Sequence, residues 1–165
     1  MVRTLIPPIR PIPLPIVTIL PPLVMQAVFF IALLATASVF DIRKKIIPDS
    51  ICALIALAGL ICFSPVRLFG ILAALPLLIA ALCKQGGIGG GDIKLTAASG
   101  LVLGFMPGIA GLTIGLAAML LFYAGSEIAR WLRKGEKKSG RASLPLAPFL
   151  SIGFLIVYFI NITVY

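Results

Sequence analysis

The 165-residue chain contains no histidine. That absence removes Ser-His and Cys-His nucleophilic catalysis and every His-ligated metal site. Its three cysteines, Cys52, Cys62 and Cys83, form no C-x-x-C pair. They therefore argue against zinc and read as small buried hydrophobes. Acids are scarce as well: Asp41, Asp49, Asp92, Glu127 and Glu136 stand against 14 lysines and arginines. Chemistry on this chain must then draw on few carboxylates, and no metal or cofactor is expected.

Apolar residues are abundant. They make up 61% of the chain, charged residues only 12%, and the mean hydropathy is +1.17. A soluble domain of this size has too little interior for so much apolar surface. Several runs approach the roughly 20 residues that cross a bilayer as a helix. The expectation is an all-α membrane protein of about six transmembrane helices, over residues 23–40, 48–63, 68–83, 92–105, 107–132 and 144–165. Residues 1–22 are rich in proline and read as an extended or interfacial lead-in rather than a cleaved signal peptide. Residues 23–165 read as one polytopic membrane domain. Pro21-Pro22 and Pro48 suit helix entrances. The spacings Gly100-x-x-x-Gly104 and Gly111-x-x-x-Gly115 suit close helix packing.

The net charge of +9 does not point to nucleic acid, because the basic residues fall between the apolar segments. Arg43, Lys44, Lys45, Lys84, Lys94, Arg130, Arg133, Lys134, Lys137, Lys138 and Arg141 share one side. Only Arg3, Arg10 and Arg67 take the other, a split of 11 to 3. The positive-inside rule places the larger group in the cytoplasm and both termini outside. Such loops favour anionic lipid headgroups.

All five acids then lie at or near the cytoplasmic face. Glu127 and Glu136 stand among cations and read as solvated ion-pair partners. Asp49 follows Pro48 at a helix start, where capping explains it as well as function does. Asp41 sits at a helix C-terminal end, the unfavourable end for a negative charge, and Arg43 to Lys45 offer one compensation. Asp92 follows Gly86-Gly87-Ile88-Gly89-Gly90-Gly91, five glycines in six residues. Glycine at that density opposes a helix and permits positive φ, which suggests a mobile loop ending in an acid. A flexible turn with an N-cap aspartate is the plain alternative. A phosphate loop fails, since Asp92-Ile93 replace the required Lys-Ser or Lys-Thr. A dinucleotide fingerprint fails for want of a preceding strand. If helix ends bring Asp41 and Asp92 into one low-dielectric pocket, the two would share a proton. One carboxylate then serves as base and the other as acid, as in aspartic peptidases.

At this point the residues resemble a known family. Phe40-Asp41-Ile-Arg-Lys-Lys-Ile-Ile47-Pro48-Asp49 is similar to the first motif of type IV prepilin peptidases, an aspartate six residues before (Leu/Ile)-Pro-(Asn/Asp). Gly87-Ile-Gly-Gly-Gly-Asp92-Ile-Lys94-Leu95 is similar to their second, G-x-G-D-x-K-L. Ala98-Ser-Gly-Leu-Val-Leu-Gly104 and Leu144-Pro-Leu-Ala-Pro-Phe149 continue the likeness, which covers roughly residues 25 to 165. The resemblance implies an aspartic endopeptidase that cuts basic leaders from prepilins, pilin-like proteins or preflagellins at the cytoplasmic membrane face. It implies Asp41 and Asp92 as the catalytic pair, with Gly89 and Gly91 shaping the loop. Lys94 would pair with an acid or a lipid. Pro48 and Asp49 match motif positions. Many members also carry two C-x-x-C pairs and N-methylate the pilin; without them this chain resembles the short, peptidase-only form. The competing expectations are a small transporter whose acids bind cations and a non-catalytic scaffold for pilus assembly. A Ser50–Lys45 peptidase is remote, with proline between the two.

Overall fold

The computed structural model describes residues 16–62, 64–83, 89–132 and 145–164, with side chains for 23–62, 64–83, 89–129 and 145–162. Arg3, Arg10, Lys84, Gly86, Gly87, Arg133, Lys134, Glu136, Lys137, Lys138, Arg141 and Leu144 lie outside the described residues. The elements are α1 (Ile16–Lys44), α2 (Asp49–Ile61), a 3-10 segment (Pro65–Ala74) running into α3 (Leu75–Cys83), α4 (Gly90–Leu103), α5 (Phe105–Leu132) and α6 (Ala147–Val164). No strand occurs among the described residues.

The chain is an all-α membrane protein. Leu23–Lys44, Pro65–Cys83 and Phe105–Ala129 are each long and apolar enough to cross a bilayer. Asp49–Ile61 and Ala147–Ile162 are shorter apolar helices. The 14 residues of α4 rise only about 21 Å, less than a hydrocarbon core of roughly 30 Å. All six expected apolar segments are therefore helical, but they differ in reach.

Three local expectations change. First, α1 begins at Ile16 and passes through Pro21-Pro22, so the prolines are not the entrance and the end of the lead-in is helical. Each proline removes a hydrogen-bond donor, yet the turn before it still closes onto a long apolar helix. Second, the third segment starts at Pro65 with ten residues of 3-10 helix. Its narrower coil brings Gly70 against Gly100 of α4, where a Cβ on either would overlap the other's carbonyl. Third, Gly104 is buried and packs as expected, its carbonyl carbon 3.2 Å from where a Cβ on Gly70 would lie, but it is also a helix stop. It ends α4 at φ +94°, with nothing within 4 Å of an added Cβ.

Gly111 and Gly115 do pack as the spacing suggests. A Cβ at Gly111 would come within 2.6 Å of the Phe154 ring, and one at Gly115 within 2.9 Å of the Leu150 backbone. Along this seam α5 lies against α6. The 3-10 segment lies along α4, α2 sits between α1 and α4, and α1 also meets α6. Phe30, Leu34, Ile55, Leu95, Leu112, Leu150 and Phe154 form the shared interior. Lipid gives no hydrophobic drive between such helices, so close fit and a few polar contacts must hold them. Gln26 Nε2 donates to Ala58 O at 3.0 Å, and Ser38 Oγ to Ser151 Oγ at 2.9 Å. The cysteines diverge: Cys52 is buried as expected, Cys62 is half-buried, and Cys83 is exposed at the uncovered end of α3.

Candidate active site

Four helix ends meet at one end of the bundle: the C-terminus of α1 and the N-termini of α2, α4 and α6. Two contacts fix this. The Ala147 N–H, in the first turn of α6, donates to Asp41 Oδ2 of α1 at 2.9 Å. Lys94 Nζ of α4 bonds both carboxylate oxygens of Asp49 in α2 at 2.7 Å. Asp41 is thus compensated by the positive end of another helix.

Between these ends lies a pocket of about 310 Å³, lined by Asp41, Lys45, Ile46, Ile47, Asp49, Gly89, Gly90, Gly91, Asp92 and Lys94. Asp41 is 7% exposed and Asp92 9%. Asp49 and Lys94 stand at the solvent side, with side chains 74% and 55% exposed. The two buried carboxylates come from different helices, and the structure brings both into this one pocket. Asp92 Oδ1 is buried without a hydrogen-bond partner. An acceptor left so in a protein interior is costly, and such an atom is more stable carrying a proton.

Asp92 lies in the first turn of α4, outside the three spanning segments. Burial pushes its pKa up first, and the negative charge of Asp41 adds to it. The Gly89 backbone opposes the shift, and the result is a pKa of about 6.

The glycines work differently from the expected hinge. Among the described residues Gly104 is the one glycine at positive φ. Gly89 is the N-cap of α4 in an extended conformation, at φ −69° and ψ 136°, and Gly90 and Gly91 form the first helical turn. Asp92 is therefore the third helical residue, not the N-cap. The described glycines matter through their missing Cβ. An added Cβ at Gly91 would sit 3.1 Å from Ile47 Cβ, and one at Gly89 would sit 3.1 Å from Asp92 Oδ2. The absence of side chains lets α4 start directly against Ile47 with the Asp92 carboxylate folded into the pocket.

Several pocket residues carried little sequence signal. Lys45 ends α1 in the left-handed region at φ 53°, its N–H closing on Asp41 O at 2.9 Å. A lysine there is unusual and turns the chain toward Pro48, the N-cap of α2. Ile47 is buried under the pocket. Thr96 Oγ1 donates to Asp92 O at 2.8 Å, inside the core. The pocket's anchor on α6 is a backbone N–H, to which no residue type is tied.

The family model described as Type IV leader peptidase family matches residues 28–128. The chain is 34% identical over 140 residues to the prepilin leader peptidase/N-methyltransferase of Bacillus subtilis (strain 168), an alignment covering 80% of this chain and 54% of that protein. The chain thus spans about half the length of this curated relative. No solved structure matches it.

Proposed function

Because the chain belongs to the Type IV leader peptidase family, we propose that it is a membrane aspartic endopeptidase that removes the basic leader of prepilins or pilin-like or preflagellin proteins. Asp41 and Asp92 are the catalytic pair. The observation that carries this reading is two buried carboxylates, from α1 and α4, lining one pocket at the helix ends.

One division of the roles has support in the geometry. Asp92, with an orphaned oxygen and a raised pKa, holds the shared proton. Asp41, which accepts the Ala147 N–H at the start of α6, is the partner that acts as base. Asp41 takes a proton from water as its oxygen attacks the scissile carbonyl carbon. Asp92 gives its proton to the carbonyl oxygen, producing a neutral tetrahedral diol. In the collapse Asp41 returns its proton to the departing nitrogen, the C–N bond breaks, and a diol proton goes back to Asp92. The pair is restored and one water is consumed.

The site end faces the cytoplasm in this reading, since the basic segments cluster there and the leader is basic. Anionic lipid would offset those cations and hold the leader near the pocket, so cleavage rises with the anionic fraction of vesicles; a flat response rejects that part. The described cysteines offer no paired thiols for a second activity, and the product is expected to leave with an unmethylated α-amine, readable by mass spectrometry.

The main test is processing of a co-expressed prepilin from the same genome. Wild type, Asp41→Asn and Asp92→Asn are compared at equal membrane expression. Each variant should lose at least about 100-fold in rate, the scale of a lost acid or base. Wild-type processing by either variant removes that aspartate from the mechanism.

A further inference from the structure

A second cavity lies at the opposite end of the bundle from the carboxylates. It has a volume of about 320 Å³ and runs between α2, the 3-10 segment and the end of α4. Leu57, Leu60, Leu68 and Ile71 give it apolar walls that remain exposed on the outer surface of the bundle. Gly59 and Leu101 lie where α2 touches α4 beneath it.

Its mouth is polar. Arg67 and Ser64 line it, and Arg67 is the one charged side chain at this end among the described residues. Arg67 Nη1 donates to Cys62 O at 3.0 Å. That bond fixes the guanidinium over the groove and leaves other N–H groups of its five for a ligand. Ser64 is the N-cap of the 3-10 segment, yet its side chain makes no capping bond.

An apolar groove on a lipid-facing surface, ending in a fixed guanidinium and a free hydroxyl, matches an amphiphile with an anionic head. We infer that this groove is a binding site for one anionic phospholipid, of the phosphatidylglycerol class, in the leaflet opposite the carboxylate pocket. One acyl chain lies between Leu57, Leu60 and Ile71. The phosphate takes hydrogen bonds from Arg67 and Ser64, a planar guanidinium being well suited to phosphate oxygens. Anionic lipids outcompete zwitterionic ones because no described acid at this end opposes the headgroup charge. The site is independent of the peptidase reading.

The test is native mass spectrometry of the full chain released from nanodiscs holding equal phosphatidylglycerol and phosphatidylcholine. Arg67→Gln removes the charge. Leu60→Trp fills the groove and leaves Arg67 in place, so it separates ligand loss from disturbance of the Arg67–Cys62 turn. Wild type should retain one phosphatidylglycerol in preference to phosphatidylcholine. Arg67→Gln should reduce that preference about 5-fold, the effect of one basic residue near a charged headgroup. Leu60→Trp should abolish the retained lipid. Unchanged retention in both variants overturns the proposal, because lipid would then be held at the basic end. A dimer in place of a lipid adduct also overturns it and gives the groove to a second copy of the chain.

Discussion

The Ala147 N–H binds Asp41 Oδ2 at 2.9 Å, tying the end of α1 to the start of α6 across most of the sequence. An aspartate at the C-terminal end of its own helix thereby becomes an N-terminal anchor for another. Charge and anchoring are separable. Asn at position 41 retains an oxygen acceptor, whereas Ala leaves the first-turn N–H of α6 unpaired. Asp41→Ala should therefore be less stable than Asp41→Asn by about 1 kcal/mol, although both lose processing. Thermal unfolding of the two variants in the same detergent checks this; equal midpoints would mean that the bond contributes nothing to holding α6.

A second prediction concerns pH. Burial and the Asp41 charge raise Asp92 from its ordinary value of 3.8 to about 6. A carboxyl whose folded pKa is raised favours folding while protonated, below about 4, and that contribution is lost as pH rises through about 6. Asp92→Asn stays neutral throughout. The variant should melt above wild type at pH 7.5, and the gap should close as the pH falls through 6 toward 4. The protonated-carboxyl C=O stretch of Asp92 should fade over the same interval, and at lower pH in Asp41→Asn, which removes the neighbouring charge. A melting gap that stays constant with pH would contradict the shift.

Much of this arrangement was legible in the chain. Apolar runs parted by basic clusters, by Arg67 and by Pro107 marked all six helical segments, because few residues can face lipid. Asp41 and Asp92 stood out because carboxylates are rare and both fall at segment ends. What escaped was carried by backbone and by space. The Ala147 N–H has no residue signature. The 3-10 start at Pro65 falls in a run whose one charged residue, Arg67, does not define a polar face, so nothing reveals its pitch. The glycines before Asp92 suggested positive φ, but Gly89, Gly90 and Gly91 adopt ordinary conformations, and what Gly89 and Gly91 provide is room for the Asp92 carboxylate and for Ile47. That Gly104 also ends α4 escaped because a spacing of four does not distinguish a contact from a helix stop.

The Lys94–Asp49 pair permits a third prediction. Both partners are more than half exposed, and such pairs contribute at most about 1 kcal/mol. Lys94→Gln and Asp49→Asn should shift the melting temperature only slightly, with the effect shrinking further in high salt. Both nonetheless line the pocket mouth. A large fall in processing without a matching fall in stability would show that these groups meet the substrate. A double-mutant cycle, run once on melting and once on cleavage, separates the two contributions.

The glycines supply the last prediction, a rank order for alanine substitutions. Gly90 has nothing within 4 Å of an added Cβ and lies in the first turn of α4, where alanine favours the helix. Gly90→Ala should be as stable as wild type or slightly more so, while its methyl enters the pocket and raises KM. Gly91→Ala places a methyl 3.1 Å from the Cβ of buried Ile47, which has little room to yield, and should cost about 1–3 kcal/mol. Gly100→Ala drives a methyl into the Gly70 carbonyl, where only a shift of the 3-10 segment gives relief. It should be the least stable of the three, with the lowest yield of folded protein. Size-exclusion profiles and melting temperatures in detergent give the order directly. A Gly100→Ala protein as stable as wild type would mean that the close approach of the 3-10 segment to α4 does not persist in the membrane.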